Sequence, residues 1–202
     1  MKSPLPELDV SRETEERLQA YLATLAEWNR RINLVAAASS VEWRQRHVED
    51  SLQLLPLVPE GGVLADLGSG GGLPGLILAA ALPDRDVHLV ESDQRKCAFL
   101  IEAARRMGLR QVKVHPKRIE VVSLPPIAGL TARALAPLAR LLPSAERLLA
   151  LDGVAIFPKG RGAETEIAEA RASHAFDLET FASRTDPAAT ILRLGAIRAL
   201  RG

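Results

Sequence analysis

Ala65-Asp-Leu-Gly-Ser-Gly-Gly-Gly-Leu-Pro-Gly75 places five glycines within eight positions, directly behind the apolar run Val63-Leu64-Ala65. Glycine at this density raises the entropic cost of folding, so such a loop is expected where something must approach bare backbone. A short apolar run entering a glycine turn and then a second apolar stretch reads as strand, loop and helix, the opening unit of an α/β sheet.

The alternation continues downstream. Strands are expected at Val63–Leu67, Val87–Glu91, Val112–His115, around Leu130–Ala134 and at Gly153–Phe157. Helices fall between them at Leu73–Leu82, Asp93–Gly108, Ala136–Leu151 (with a kink at Pro143) and Ala163–Ser173. Phe176–Ala182 and Thr190–Ile197 close the chain as an antiparallel pair. Upstream, Leu18, Tyr21, Leu22, Leu25, Trp28 and Ile32 recur at helical spacing and predict an amphipathic helix over 12–31. Ser39 to Glu42 reads as a capping box opening a short second helix, and Val48 to Leu57 suggests a third. The expected division is a helical extension over 1–60, packed on an α/β domain over 61–202.

Composition narrows the class. The 202 residues are 47% hydrophobic and 25% charged, enough to bury one substantial core. No apolar run approaches the roughly 20 residues that span a bilayer, and the N-terminus lacks an apolar signal core, so a cytoplasmic location without membrane attachment is expected. A single cysteine, Cys97, excludes an internal disulfide and reads as packing. Four scattered histidines make no zinc spacing, and no metal is expected. Net charge is only +1, but residues 91–120 carry 8 basic and 4 acidic side chains. That local excess is compatible with a nucleic-acid partner, and equally with a solvated helix face and loop.

Three ligands compete for the glycine loop. Gly70-x-Gly72-x-x-Gly75 can be forced into the dinucleotide fingerprint, but it starts three residues beyond Leu67 and holds Pro74 where the helix should already run. A phosphate-binding loop needs a Lys-Ser or Lys-Thr pair behind the glycines, and none follows. Asp66-x-Gly68-x-Gly70-x-Gly72 instead matches the alternating glycines seen after strand one in nucleoside-cofactor methyltransferases. S-adenosylmethionine has no phosphate, and in this reading Asp66 receives its ammonium, directly or through water. Glu91, 23 residues after Gly68 at the end of strand two, is placed to take the ribose hydroxyls. A tight turn beside an exposed strand-end carboxylate is the plainer alternative.

Further motifs lie in a specific order: Trp28-Asn29 with Ile32-Asn33-Leu34, Arg46-His47-x-x-Asp50-Ser51-Leu52, the glycine loop, Leu89-Val-Glu-Ser92 with Arg95-Lys96 and Phe99-Leu100, Arg118-Ile-Glu120, Thr131-Ala-Arg-Ala134 and Lys159-Gly160. This series, over roughly residues 20–160, resembles the small-subunit ribosomal RNA guanine-N7 methyltransferase family, also called glucose-inhibited division protein B. The resemblance implies a Rossmann-like class I methyltransferase fold with a mostly parallel seven-stranded sheet and an N-terminal helical extension. It implies S-adenosylmethionine as cofactor and, as substrate, N7 of guanine 527 in the 530 loop of 16S rRNA, within the small ribosomal subunit or its assembly intermediate. Carried over, Gly68 and Leu73 line the cofactor loop with Ser69, Gly70 and Gly72, Ile119 and Glu120 sit beside the adenine, and Arg133 reaches cofactor or substrate. Glu91 and Ser92 complete the cofactor set. Ser69 stands where members carry threonine, and Arg95-Lys96 where they often show two lysines.

Guanine N7 carries a free lone pair, so the implied transfer needs no general base; positioning suffices. Arg133, Lys159, His47, Asp50 and Asn33 are the candidates for placing the substrate. Arg46, His47 and Asp50 are expected to form a polar network that shapes the pocket. Asn29 and Asn33, four apart, are expected to cap, to link helices or to border the RNA. Trp43, Phe157 or an arginine plane would supply stacking in a chain with 3% aromatic residues. His88, His115 and His174 read as incidental, and a monomer supplies every assigned residue. The alternatives are methyl transfer to a small molecule or protein, and a non-catalytic RNA-binding assembly factor.

Overall fold

The computed structural model describes residues 9–36 and 39–200; part of the N-terminal segment read for a signal core lies outside them. Seven strands form one sheet in the order β3-β2-β1-β4-β5-β7-β6. They are β1 (Val63–Leu67), β2 (Val87–Glu91), β3 (Val112–Pro116), β4 (Ile127–Thr131), β5 (Leu149–Lys159), β6 (His174–Ala182) and β7 (Thr190–Ala199). β1 to β5 pair in parallel, and β7 runs antiparallel to both β5 and β6. The strand order reverses between β1 and β4, each followed by a connection on its own side, which opens a crevice at their C-terminal ends.

Pleating sorts the strand residues. Leu64, Val87 and Leu89 face one core with α1 (Arg12–Asn29), α4 (Gly75–Ala81) and α5 (Gln94–Arg106). Ala65, Leu67, Val90 and Leu130 face the other with α6 (Leu138–Leu148) and α7 (Ala163–Arg171). The helical lead shares the first core: Leu18, Tyr21 and Leu25 are fully buried against it. At about 1.5–3 kcal/mol per large apolar side chain, that stripe is a substantial anchor for α1. Trp28 and Tyr21 both meet Phe99 edge-on.

Several boundaries move for local reasons. The capping box forms: Ser39 Oγ accepts from Glu42 N at 3.2 Å while Glu42 Oε2 accepts from Ser39 N at 2.9 Å. The second and third expected helices merge into one helical run, α2 (Ser40–Trp43), a π-turn at Arg44–Glu49 and α3 (Asp50–Leu52), and a 3-10 turn follows at Leu55–Leu57. α4 starts after Pro74 rather than at Leu73, because the glycine turn occupies the preceding residues. β4 lies earlier than expected, which leaves Ala132 to Pro137 as a loop over the crevice. α6 continues through Pro143 and is bounded by Pro137 at its start, while β5 takes over at Leu149. No helix of the described residues is long and apolar enough to cross a membrane.

Candidate functional site

The crevice is built outward from the glycine turn. Ser69 N donates to Val90 O at 3.1 Å, and Ser69 O accepts from Gly72 N at 2.7 Å and Leu73 N at 3.2 Å. The Ser69 hydroxyl donates back to Asp66 O at 2.9 Å. The Glu91 carboxylate at the end of β2 then bolts loop to sheet. Its Oε2 accepts from Gly70 N at 2.9 Å, and its Oε1 from Ser92 N at 2.7 Å and Asp93 N at 2.9 Å. Glu91 is therefore a structural part of the loop, with lone pairs left to face the cavity beside it.

Two cavities meet over Gly68, Gly70 and the Arg133–Leu135 loop. The smaller, about 340 Å³, is lined by Glu91, Ser92, Ile119 and Glu120. The larger, about 1000 Å³, takes in Ser69, Leu73, Arg46, His47, Asp50 and Lys159. Most residues expected at the site from the sequence are thus brought to one cleft.

Arg133 stands at the junction. Its Nη1 lies 3.3 Å from His47 Nδ1 and donates to Asp50 Oδ2, also at 3.3 Å. Asp50 Oδ1 accepts from Thr185 Oγ1 at 2.7 Å and Gln53 Nε2 at 2.8 Å, so the helical lead, the loop after β4 and the β6–β7 connection share one network. The π-turn contributes His47 to it, in keeping with the frequent appearance of such turns at functional sites. Burial, with Arg133 next, holds the His47 imidazole below its usual pKa. Lys159 is committed to architecture: its Nζ donates to Ala136 O at 2.7 Å and pairs with Glu166 Oε2 at 2.8 Å. It fixes the loop after β4 while lining the cleft.

Other expected residues stand elsewhere. Asp66 is only 1% exposed and lies beneath the loop, where Oδ1 accepts from Thr131 Oγ1 at 2.8 Å and Oδ2 from Gly75 N at 3.3 Å. It lines neither cavity, because strand alternation turns it toward α4. Gly72 is packed on Leu76, and Asn33 is exposed outside both cavities. Asn29 organises the following turn instead, its Oδ1 accepting from Leu34 N at 2.9 Å and Val35 N at 3.1 Å. Neither aromatic stacking candidate is available, which leaves an arginine plane: Phe157 is fully buried, and the buried Trp43 donates its indole N–H to Ala36 O at 3.0 Å.

Burial pushes the Asp66 carboxyl up to about 6. The folded state then holds a proton that the unfolded state has lost between pH ~4 and ~6, so this group's contribution to stability falls as pH rises through that window. Depressed His47, His88 and His115 act in the opposite sense but are common to parent and variant. Asp66→Asn is expected to gain on the parent by about 2–3 kcal/mol between pH 4 and pH 7. Urea denaturation at a series of pH values checks this; parallel stability curves refute it.

Tyr21 reads in sequence only as part of the apolar stripe of α1, yet its hydroxyl donates to Gly71 O at 2.7 Å from a fully buried position. The signal available was a hydroxyl on an otherwise apolar stripe, which must find a partner when buried. Burial raises its pKa above the ordinary tyrosine value. Tyr21→Phe is expected to lose about 1 kcal/mol of stability and several-fold in cofactor affinity, by leaving the Gly71 carbonyl without this donor. Calorimetric titration with S-adenosylmethionine reads the second effect, and parent-like affinity would leave Tyr21 a packing residue only.

Comparison with known proteins agrees with this fold. The family model described as GidB, rRNA small subunit methyltransferase G, matches residues 14–186. Ribosomal RNA small subunit methyltransferase G of Gluconobacter oxydans is 51% identical over 185 residues, covering 92% of this chain and 95% of that protein. The protein of the same name from Granulibacter bethesdensis is 52% identical over 189 residues, covering 93% and 88%. A SAM-dependent methyltransferase from Aquifex aeolicus shares the fold, with TM-score 0.62 at 12% identity over 76% of this chain and 92% of that one. A match of this extent, over the helical lead as well as the sheet, leaves one assignment: the chain belongs to the rRNA small subunit methyltransferase G family.

Proposed function

We propose that this protein transfers a methyl group from S-adenosylmethionine to N7 of guanine 527 in the 530 loop of 16S rRNA, acting on the small ribosomal subunit or its assembly intermediate. The observation that carries the reading is the two-lobed cleft at the β1/β4 crevice, its lobes joined over the bare backbone of Gly70. The smaller lobe suits the nucleoside: Glu91 offers oxygens to the sugar hydroxyls, and Ile119 and Glu120 flank the space for the base. Bound there, S-adenosylmethionine supplies an electrophilic methyl on its sulfonium. Gly68 to Gly70 let that group lie close to backbone, and Leu73 gives the larger lobe an apolar wall.

The chain's own contribution is orientation. The major-groove edge of guanine presents N7 as an acceptor, and in A-form RNA that groove is too narrow to enter, so the target base must be unpaired or flipped. The larger lobe has room for such a base. Arg133, held by Asp50 beside a neutral His47, offers donors to the guanine or its phosphate, and Lys159 sets the loop that carries Arg133. No protein group has to remove a proton, because N7 has none to lose. Methylation of small subunits lacking the modification, with the product mapped by sequencing, tests the proposal. Labelled methyl at guanine 527 supports it; transfer to another nucleotide, to a protein or to none refutes it.

A further inference from the structure

Of the eight basic residues over 91–120, Arg95 lies 3.6 Å from Asp93, Arg110 is exposed away from the cleft, and the other six fall into two populations. Arg105 and Arg106 are neutralised by Glu102 and Glu27, and Lys113 by Asp86. Lys96, Lys117 and Arg118 differ: all three line the smaller lobe, and none of their side chains makes an ion pair or hydrogen bond among the described residues. Lys117 and Arg118 are exposed and Lys96 is half-buried. The carboxylates of that lobe are Glu91, held by three backbone N–H groups, and Glu120, exposed beside Ile119.

On the function proposed above, this lobe takes the nucleoside of S-adenosylmethionine, which has no phosphate. Its sulfonium and ammonium outweigh its single carboxylate, so cations around its entrance oppose its binding instead of assisting it. A polyanion is what such a rim favours. Arg46, exposed at the larger lobe, extends the same charge to the other end of the cleft. We propose that Lys96, Lys117 and Arg118 are phosphate contacts for the rRNA flanking the target guanine, and that this RNA crosses the mouth of the nucleoside lobe. Cofactor therefore enters before RNA, and the demethylated cofactor leaves after it.

The test uses the full chain as Lys117→Ser/Arg118→Ser, with Lys96→Ser as a second variant away from the exposed turn. Binding to deproteinised 16S rRNA is measured across a salt series, alongside methyl transfer to unmodified small subunits and calorimetric titration with S-adenosylmethionine. The double variant is expected to bind RNA roughly 10-fold more weakly near 0.1 M salt, with a log–log salt slope lower by about 1–2. KM for the subunit rises in parallel, kcat stays within about twofold, and cofactor affinity is unchanged or slightly tighter. In the parent, bound subunit slows the release of S-adenosylhomocysteine, and the double variant relieves that block. Unchanged RNA affinity and slope would overturn the proposal, as would cofactor affinity falling in step with RNA affinity. A defect with subunits but not with deproteinised RNA would also overturn it, in favour of a protein contact. The RNA-binding arm needs no turnover, so a parent that binds RNA without methylating guanine 527 counts against the proposed reaction and not against this surface.

Discussion

Glu91→Ala is expected to weaken S-adenosylmethionine binding by about 100-fold and to cost about 2–4 kcal/mol of stability. The carboxylate accepts from the backbone N–H groups of Gly70, Ser92 and Asp93, so its removal orphans donors at the loop and at the start of α5 together. It also deletes the oxygens that face the nucleoside lobe. Glu91→Gln separates the two roles. One amide oxygen can still serve Ser92 and Asp93, which limits the stability loss, while the amide nitrogen meets the Gly70 N–H donor to donor. Urea denaturation should place the Gln variant nearer the parent than the Ala variant. Calorimetry should place it nearer the Ala variant, and a Gln variant that binds cofactor like the parent would remove Glu91 from the site.

The double role of Glu91 shows how far local sequence reaches. β1, the glycine turn and α4 were readable from Ala65 to Gly75 because apolar runs and glycine–proline punctuation act within a few residues. Alternation makes the parallel pairing of β1 to β5 legible, though not their order, and the two closing runs read as an antiparallel pair. Strand-end chemistry was harder. Asp66 and Glu91 both stand at or near strand ends, yet Glu91 reaches the cleft and Asp66 points beneath it. The pleat does not separate them, since Asp66 pairs with Leu89, two residues before Glu91 and on the same face; the approach of α4 does: a Cβ on Gly75 would lie 2.8 Å from that of Asp66, a contact no single-residue preference encodes.

Long-range contacts explain the remaining gaps. Arg133 meets His47 and Asp50 across 86 and 83 residues of chain, so the motif residues were visible but their mutual contact was not. The π-turn that carries His47 has no helical-periodicity signature distinct from the α-helices on either side. Residue type alone makes Trp43 and Phe157 stacking candidates, and tertiary packing uses both for the interior. The same applies to the basic stretch: its charge was legible, but only the fold shows that Arg105, Arg106 and Lys113 are spent on ion pairs while three other cations line a cavity.

Gly70→Trp should abolish methyl transfer, by more than about 10³-fold, while the protein remains folded. The glycines of the loop are bare for different reasons, and this substitution tells them apart. A Cβ on Gly75 would sit 2.4 Å from Leu89 Cδ2, and one on Gly72 2.4 Å from Leu76 Cδ1, so side chains there strike the core. Gly70 has a φ of +51° and its nearest obstacle is Gly68 O at 3.7 Å; beyond that its Cβ direction meets no protein atom within 4 Å. The left-handed backbone costs a non-glycine residue about 1–2 kcal/mol, a loss of several degrees in Tm at most for a chain of this size. An indole at that point occupies the junction of the two lobes, where cofactor and target base are proposed to meet. Gly75→Ala should show the reverse pattern, a larger fall in Tm with residual activity in the molecules that fold. Thermal denaturation and methyl-transfer assays on both variants read the contrast. Substantial activity in Gly70→Trp would mean that the bare backbone at this position serves folding alone and that the reacting groups meet elsewhere.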